Sequence, residues 1–183
     1  MIVRMGQHGP IARHTFATRL GTMIACATDR GLCLLEFIER PTLAKEYADL
    51  SRLLTAPVID APHDYTREAE QQINAWFAGQ RLDFDLPLDM PGTAFQQQVW
   101  QALLALPFGS TASYQQQAER IGRPDAARAV GAANGQNRLA VIVPCHRVFA
   151  KNGNLTGYGG GIERKRWLLA HEASGLARQQ IQR

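Results

Sequence analysis

Only three cysteines, Cys26, Cys33 and Cys145, occur in the 183 residues. Their number is odd and none forms a CxxC pair, so neither a disulfide framework nor a zinc knuckle is indicated. No stretch approaches the ~18 apolar residues of a membrane span. Residues 1–16 carry Arg4, His8, Pro10, Arg13 and His14 where a secretory leader would need an apolar core. These absences predict a protein of the reducing cytoplasm, with no membrane association and no metal or other cofactor. The length is enough for one or two domains with a proper core. Acid is scarce in the second half: residues 91–183 hold 4 Asp+Glu against 11 Lys+Arg, whereas residues 1–90 hold 12 against 9. A basic half suits a polyanion-binding surface, although arginines scattered over solvated faces give the same count.

The apolar segments around Thr28-Asp29-Arg30-Gly31 read as a hairpin, residues 21–27 and 32–37, with Cys26 and Cys33 as packing residues within its strands. Leu43, Tyr47, Leu50 and Leu54 recur at helical spacing, as do Ala69, Ile73, Trp76 and Phe77. The pattern breaks around residues 87–92, which predicts an interdomain linker ending at Pro91-Gly92, with one domain over 1–90 and a second over 91–183. Thr93 with Gln96, and Ser113 with Gln116, are capping-box signatures. The first opens a helix carrying Phe95, Val99, Trp100, Leu103 and Leu104 on one face. The second opens a helix through Ile121, stopped by Gly122. Pro124 suits the first turn of a helix to about Asn134, ended by Gly135. Two short helices around a glycine turn make a helix-turn-helix.

That second helix is almost all small: Ala126, Ala127, Arg128, Ala129, Val130, Gly131, Ala132, Ala133. It lacks the Asn, Gln, Lys and extra Arg that read base edges, which argues against sequence-specific readout. Close approach to a nucleic-acid groove and close helix packing with a solvated Arg128 both remain open. Glycines 157 and 159–161 form a loop able to bring backbone close to a ligand, leading into a helix with Lys165, Trp167, Leu168, Leu169, His171 and Glu172.

Residues 139–143 are all apolar and run into Pro144-Cys145-His146-Arg147-Val148, which predicts a buried strand with a thiol and an imidazole at its end. A free cysteine is ordinarily a small packing residue. Neighbours in a strand point to opposite faces, so Cys145 and His146 cooperate only if the chain turns at Pro144.

These pieces, in this order, resemble the O6-alkylguanine-DNA alkyltransferases. The resemblance rests on Phe95-x-x-x-Val99-Trp100, Thr111-x-Ser113-Tyr114, Ala118-x-x-Ile121-Gly122, Arg128-Ala129-Val130-Gly131, Asn137, residues 144–148, and Tyr158-x-Gly160-Gly161 with Lys165, Leu168, Leu169 and Glu172. It covers the last ninety residues densely and the first half loosely. It implies an α/β fold in two domains: an N-terminal ribonuclease-H-like small sheet with helices, and a mainly helical, winged-helix-like domain carrying the helix-turn-helix. By the same resemblance Cys145 accepts the alkyl group in a single turnover, through a Cys145–water–His146–Glu172 relay braced by Asn137. Tyr114 gives a proton toward the departing guanine.

Ser113, Tyr114, Ala126, Ala127 and Arg128 are then the DNA-binding residues, with Arg128 filling the stack after the base flips. Val148, Tyr158, Gly159, Gly160 and Lys165 form the base pocket. The implied partner is double-stranded DNA containing alkylated guanine, met through its minor groove by a monomer, with cooperative binding and O4-alkylthymine repair left open. Arg138 stands where many relatives have proline, which leaves the local turn open and adds a candidate phosphate contact. Two other readings stand beside this one. A lesion-binding module without chemistry would lack Cys145, and a cysteine hydrolase would leave Arg128 and the helix-turn-helix unexplained.

Overall fold

The computed structural model describes residues 9–182. Arg4 and His8 of the leader reading, the start of the predicted first domain and Arg183 lie outside the described residues. Three strands come first: β1 (Ile11–Thr18), β2 (Gly21–Thr28) and β3 (Gly31–Phe37). The predicted hairpin is β2–β3. β1 pairs antiparallel with β2; it escaped the sequence reading because Arg13, His14 and Thr15 interrupt its apolar residues. β4 (Val58–Asp60) lies parallel to β1, so the sheet order is β3-β2-β1-β4.

Helix α1 (Leu43–Leu54) covers one face of the sheet, where Leu50 and Leu54 join Ile11, Ile24, Cys26, Cys33 and Leu34. Burial pushes both cysteine thiols up, that of Cys26 to about 12. Helix α2 (Asp64–Phe77) covers the other face, with Ile73, Trp76 and Phe77 in a core that also holds Met23, Leu35 and Phe37. That core is continuous with Val99, Trp100, Leu103, Leu139 and Leu168 of the second half.

β3 ends the sheet, and an uncovered edge would leave backbone groups unpaired. Residues 87–89 and the start of the 138–140 segment cover it. Leu32 bridges Leu88 and Leu35 bridges Leu139, the latter through Leu35 N–H to Arg138 O and Ala140 N–H to Leu35 O, both 2.8 Å. Residues 87–92 are therefore not a free linker: Asp89 N–H donates to Leu32 O, and the Asp89 carboxylate accepts from Thr28 Oγ1 at 2.7 Å.

Both predicted capping boxes are present, opening α3 (Ala94–Leu104) and α4 (Tyr114–Arg120). A 3-10 turn, Pro124–Ala126, leads into α5 (Ala127–Gly135). Gly135 is thus the last residue of that helix rather than its terminator. β5 (Ala112–Ser113) pairs in parallel with β6 (Val148–Phe149), strands too short for any periodicity to reveal. Helix α6 (Ile162–Ile181) follows the glycine loop. Among the described residues no helix is long and apolar enough to cross a membrane.

Residues 139–143 are buried as expected but do not form a strand. Leu139 alone bridges β3, after which Ile142 N–H turns back to Ala140 O and Val143 N–H to Leu139 O. Val141 sits at φ 71°, a region that a β-branched residue occupies only when its surroundings force it. An apolar run buried on every side carries no period, so a buried turn and a buried strand read alike.

Candidate active site and nucleic-acid interface

Because the chain turns after Val143, Cys145 opens a 3-10 turn, Cys145–Arg147, instead of ending a strand. Cys145 is partly exposed while His146 is fully buried. Asn137 braces this turn with every polar atom of its side chain. Its Nδ2 donates to Val143 O at 2.8 Å and to Cys145 Sγ at 3.3 Å, and its Oδ1 accepts from Leu139 N–H at 2.9 Å. Burial pushes the Cys145 thiol up, opposed by the Asn137 hydrogen bond. The resting group is therefore a thiol, and a thiolate nucleophile needs a base to take its proton.

His146 has the character of such a base. Burial holds its imidazole below its ordinary value, against the pull of Glu172, so it rests neutral at neutral pH. Its Nε2 lies 2.8 Å from Glu172 Oε1, while its Nδ1 is buried without a hydrogen-bond partner among the described residues. Burial alone would raise Glu172, but hydrogen bonds from His146 and Arg147 and their charges hold its carboxyl at about 2. Arg147 donates from Nε at 2.9 Å and Nη2 at 2.7 Å, and Gly109 N–H donates at 3.0 Å. Gly109 has to be glycine: its φ is 76°, and a Cβ there would run into Leu176. Nothing in the sequence motif assigns Arg147 this role. Its one signal was a cation set among apolar residues.

Tyr114, the first residue of α4, is half-buried, with its ring 3.7 Å from where a Cβ on Gly131 of α5 would stand. Burial raises its phenol, and Cys145 adds to the effect. Burial also raises Tyr158, again with a contribution from Cys145, and its hydroxyl has no hydrogen-bond partner among the described residues. The Tyr158 ring lies beside Gly160, where a Cβ would fall 2.7 Å from Tyr158 Cε1. Lys165 is fully buried and donates from Nζ to Val148 O at 2.7 Å. It thus acts on Val148 rather than facing solvent.

Ser113 caps α4 through its hydroxyl. Ala126 and Ala127 sit half-buried where the 3-10 turn meets α5, and Arg128 is exposed, with no ion pair among the described residues. Arg138, the candidate phosphate contact, is partly buried: its Nη1 donates to Pro91 O at 2.8 Å and its guanidinium lies 5.9 Å from the Trp100 ring centroid.

Residues 11–90 match the family model for the 6-O-methylguanine DNA methyltransferase ribonuclease-like domain, and residues 94–174 match the DNA binding domain of the same name. A methylated-DNA--protein-cysteine methyltransferase of Mycobacterium tuberculosis is 60% identical over 106 residues; the matched stretch is 58% of this chain and 64% of that protein. The solved structure of Mycobacterium tuberculosis OGT in complex with DNA is similar at TM-score 0.76 and 42% identity, covering 90% of this chain and 94% of that one. The O6-methylguanine-DNA methyltransferase of Pyrococcus kodakaraensis is similar at TM-score 0.61 and 26% identity, covering 88% and 98%.

Proposed function

The chain belongs to the 6-O-methylguanine DNA methyltransferase family, and on that footing we propose that it repairs DNA by moving the alkyl group of O6-alkylguanine onto Cys145. The observation that carries this reading is the Cys145–His146–Glu172 arrangement. Asn137 donates to the Cys145 sulfur, and the next residue, His146, is a neutral imidazole with one nitrogen on a buried carboxylate and the other without a partner among the described residues. The thiol proton passes through a water to His146, and Glu172 stabilises the imidazolium. The sulfur attacks the alkyl carbon, the carbon–oxygen bond breaks, and its electron pair stays with the guanine. Tyr114 gives a proton to the departing base, help typically worth ~10²–10⁴ in rate. The product is a thioether that no base in the site can reopen, so each molecule acts once.

Residues 91–183 bind DNA and carry the acceptor; the protein works as a monomer in the cytoplasm. Helix α5 enters the minor groove with its small side chains, beside Ser113, Ala126 and Ala127. Arg128 takes the vacancy left when the nucleotide swings out, a step that costs a few kcal/mol. The pocket is closed by Val148, Tyr158 and the Gly159–Gly160 backbone, with Lys165 fixing Val148 from below.

Incubation with duplex DNA bearing O6-methylguanine is expected to add one methyl group to the Cys145 peptide, stoichiometrically and without added cofactor. Labelling elsewhere or repeated turnover, as a hydrolase would give, refutes the proposal. Arg128→Ala is expected to slow repair of duplex DNA by ~10-fold or more while sparing reaction with the free base, the signature of a flipping role; equal slowing of both contradicts that role. Duplex affinity is expected to fall steeply as salt rises from 50 to 200 mM through lost counterion release, which a titration monitored by fluorescence anisotropy measures.

A further inference from the structure

Glu36 is the one charged residue in β3, a strand buried along its whole length, and it is itself fully buried. Its Oε1 accepts from Arg40 Nη1 at 2.6 Å. Arg40 lies only 2.7 Å from a second carboxylate, Glu46 Oε1, and also donates from Nε to Thr42 Oγ1. Two acids thus hold one guanidinium, whose side chain is just 9% exposed.

The outer face of that guanidinium meets both walls around the acceptor. Nη2 donates to Gly135 O at 2.8 Å, and Nη1 approaches Asn137 O at 3.4 Å. It also fills the space beside Gly159, where a Cβ would come within 2.5 Å of Nη1. Asn137 is the residue whose Nδ2 reaches the Cys145 sulfur. We propose that Arg40 is a positioning residue for alkyl transfer: its guanidinium ties the turn at residues 135–137 to the Gly159 loop, and so fixes Asn137 against the acceptor sulfur. The proposal rests on the repair reading and gives the N-terminal half a part in it.

The arrangement has an electrostatic side as well. The Glu36 charge pushes the thiol up, while Arg40 and Lys165 of α6 pull it down. Asn137 donates to the same sulfur, His146 adjoins it in sequence, and Tyr114 of α4 and Tyr158 lie within its field. Burial pushes the Glu36 carboxyl well above its usual range and Arg40 is the main charge opposing it, so removing the cation lets Glu36 take up a proton, whereas replacing it by an ammonium keeps the charge and loses the planar fork that bridges two carbonyls and a carboxylate.

The test compares R40M and R40K with the wild type in two assays. Single-turnover methyl transfer from a methylated duplex reads positioning. The pH profile of Cys145 alkylation by iodoacetamide, located by peptide mass, reads the thiol and needs no DNA. R40M is expected to slow transfer by about 10- to 100-fold, the scale of a small misplacement near reacting atoms. R40K is expected to keep the wild-type midpoint and remain slow in transfer, and it carries the test of positioning should R40M not fold. R40K or R40M at the wild-type transfer rate, or an R40K midpoint shifted along with its slowed transfer, overturns the proposal. Absence of transfer in the wild type would count against the repair reading itself, so the two failures are distinguishable.

Discussion

Cys145→Ala is expected to end alkyl transfer, a loss on the order of 10⁴-fold or more, as when other enzymes lose their nucleophile. The fold and duplex binding should survive. Cys145 is partly exposed, and the hydrogen bond its sulfur makes is from Asn137, which keeps its bonds to Val143 and Leu139. Cys26 and Cys33 cannot take over, because both are fully enclosed on the sheet face under α1 and burial pushes their thiols up. Intact-protein mass spectrometry after exposure to methylated duplex, beside a binding titration at fixed salt, measures both halves of this expectation. A methyl group on the C145A protein would end the assignment.

Glu172→Gln is expected to damage both stability and transfer. Every partner of the Glu172 carboxylate donates or can donate: His146, Arg147 and Gly109 N–H. An amide in its place turns its own N–H₂ toward a donor and leaves the nearly buried Arg147 guanidinium without a countercharge. Breaking a buried pair from one side costs about 3–5 kcal/mol, which urea denaturation at neutral pH reads directly. Transfer should fall by ~10²-fold or more, since the imidazolium formed at His146 loses its stabilising charge. Wild-type stability and near wild-type rate in E172Q would refute both roles.

Acid has a related effect. His146 and Glu172 both have folded values below their ordinary 6.5 and 4.5, so the unfolded chain binds more protons and stability falls as the pH is lowered. The His146 contribution is complete above 6.5 and declines as pH drops through its lower folded value. That of Glu172 is complete above 4.5 and is lost toward about 2, a difference worth about 3 kcal/mol. Denaturation midpoints across this range should fall for the wild type, with the lower part of the fall missing in E172Q.

Much of the second half was legible because its signals are local. A capping box needs only residues three apart, so Thr93 with Gln96 and Ser113 with Gln116 place the starts of α3 and α4. Gly122 at φ 72° marks the turn between α4 and the next helix. Residues 139–143 were misread as a strand because uniform apolarity records burial and not backbone direction. β1, β5 and β6 went unseen because mixed or very short segments carry no period. Arg40 gave no sign of its position, since its partners Gly135 and Asn137 lie 95 and 97 residues away.

By itself the sequence determined which chemical groups are present and where helices begin: one thiol beside one imidazole, a small-residue helix with a lone arginine, and a basic second half. Only the tertiary structure decided which groups meet. Glu172 reaches His146 and Arg147, Asn137 reaches the sulfur, and β3 of the first half takes the residue 138–140 backbone as its edge partner. The reason is that hydrogen bonds and ion pairs act over a few ångströms of space, while the chain separates these partners by anything from 8 to 105 positions.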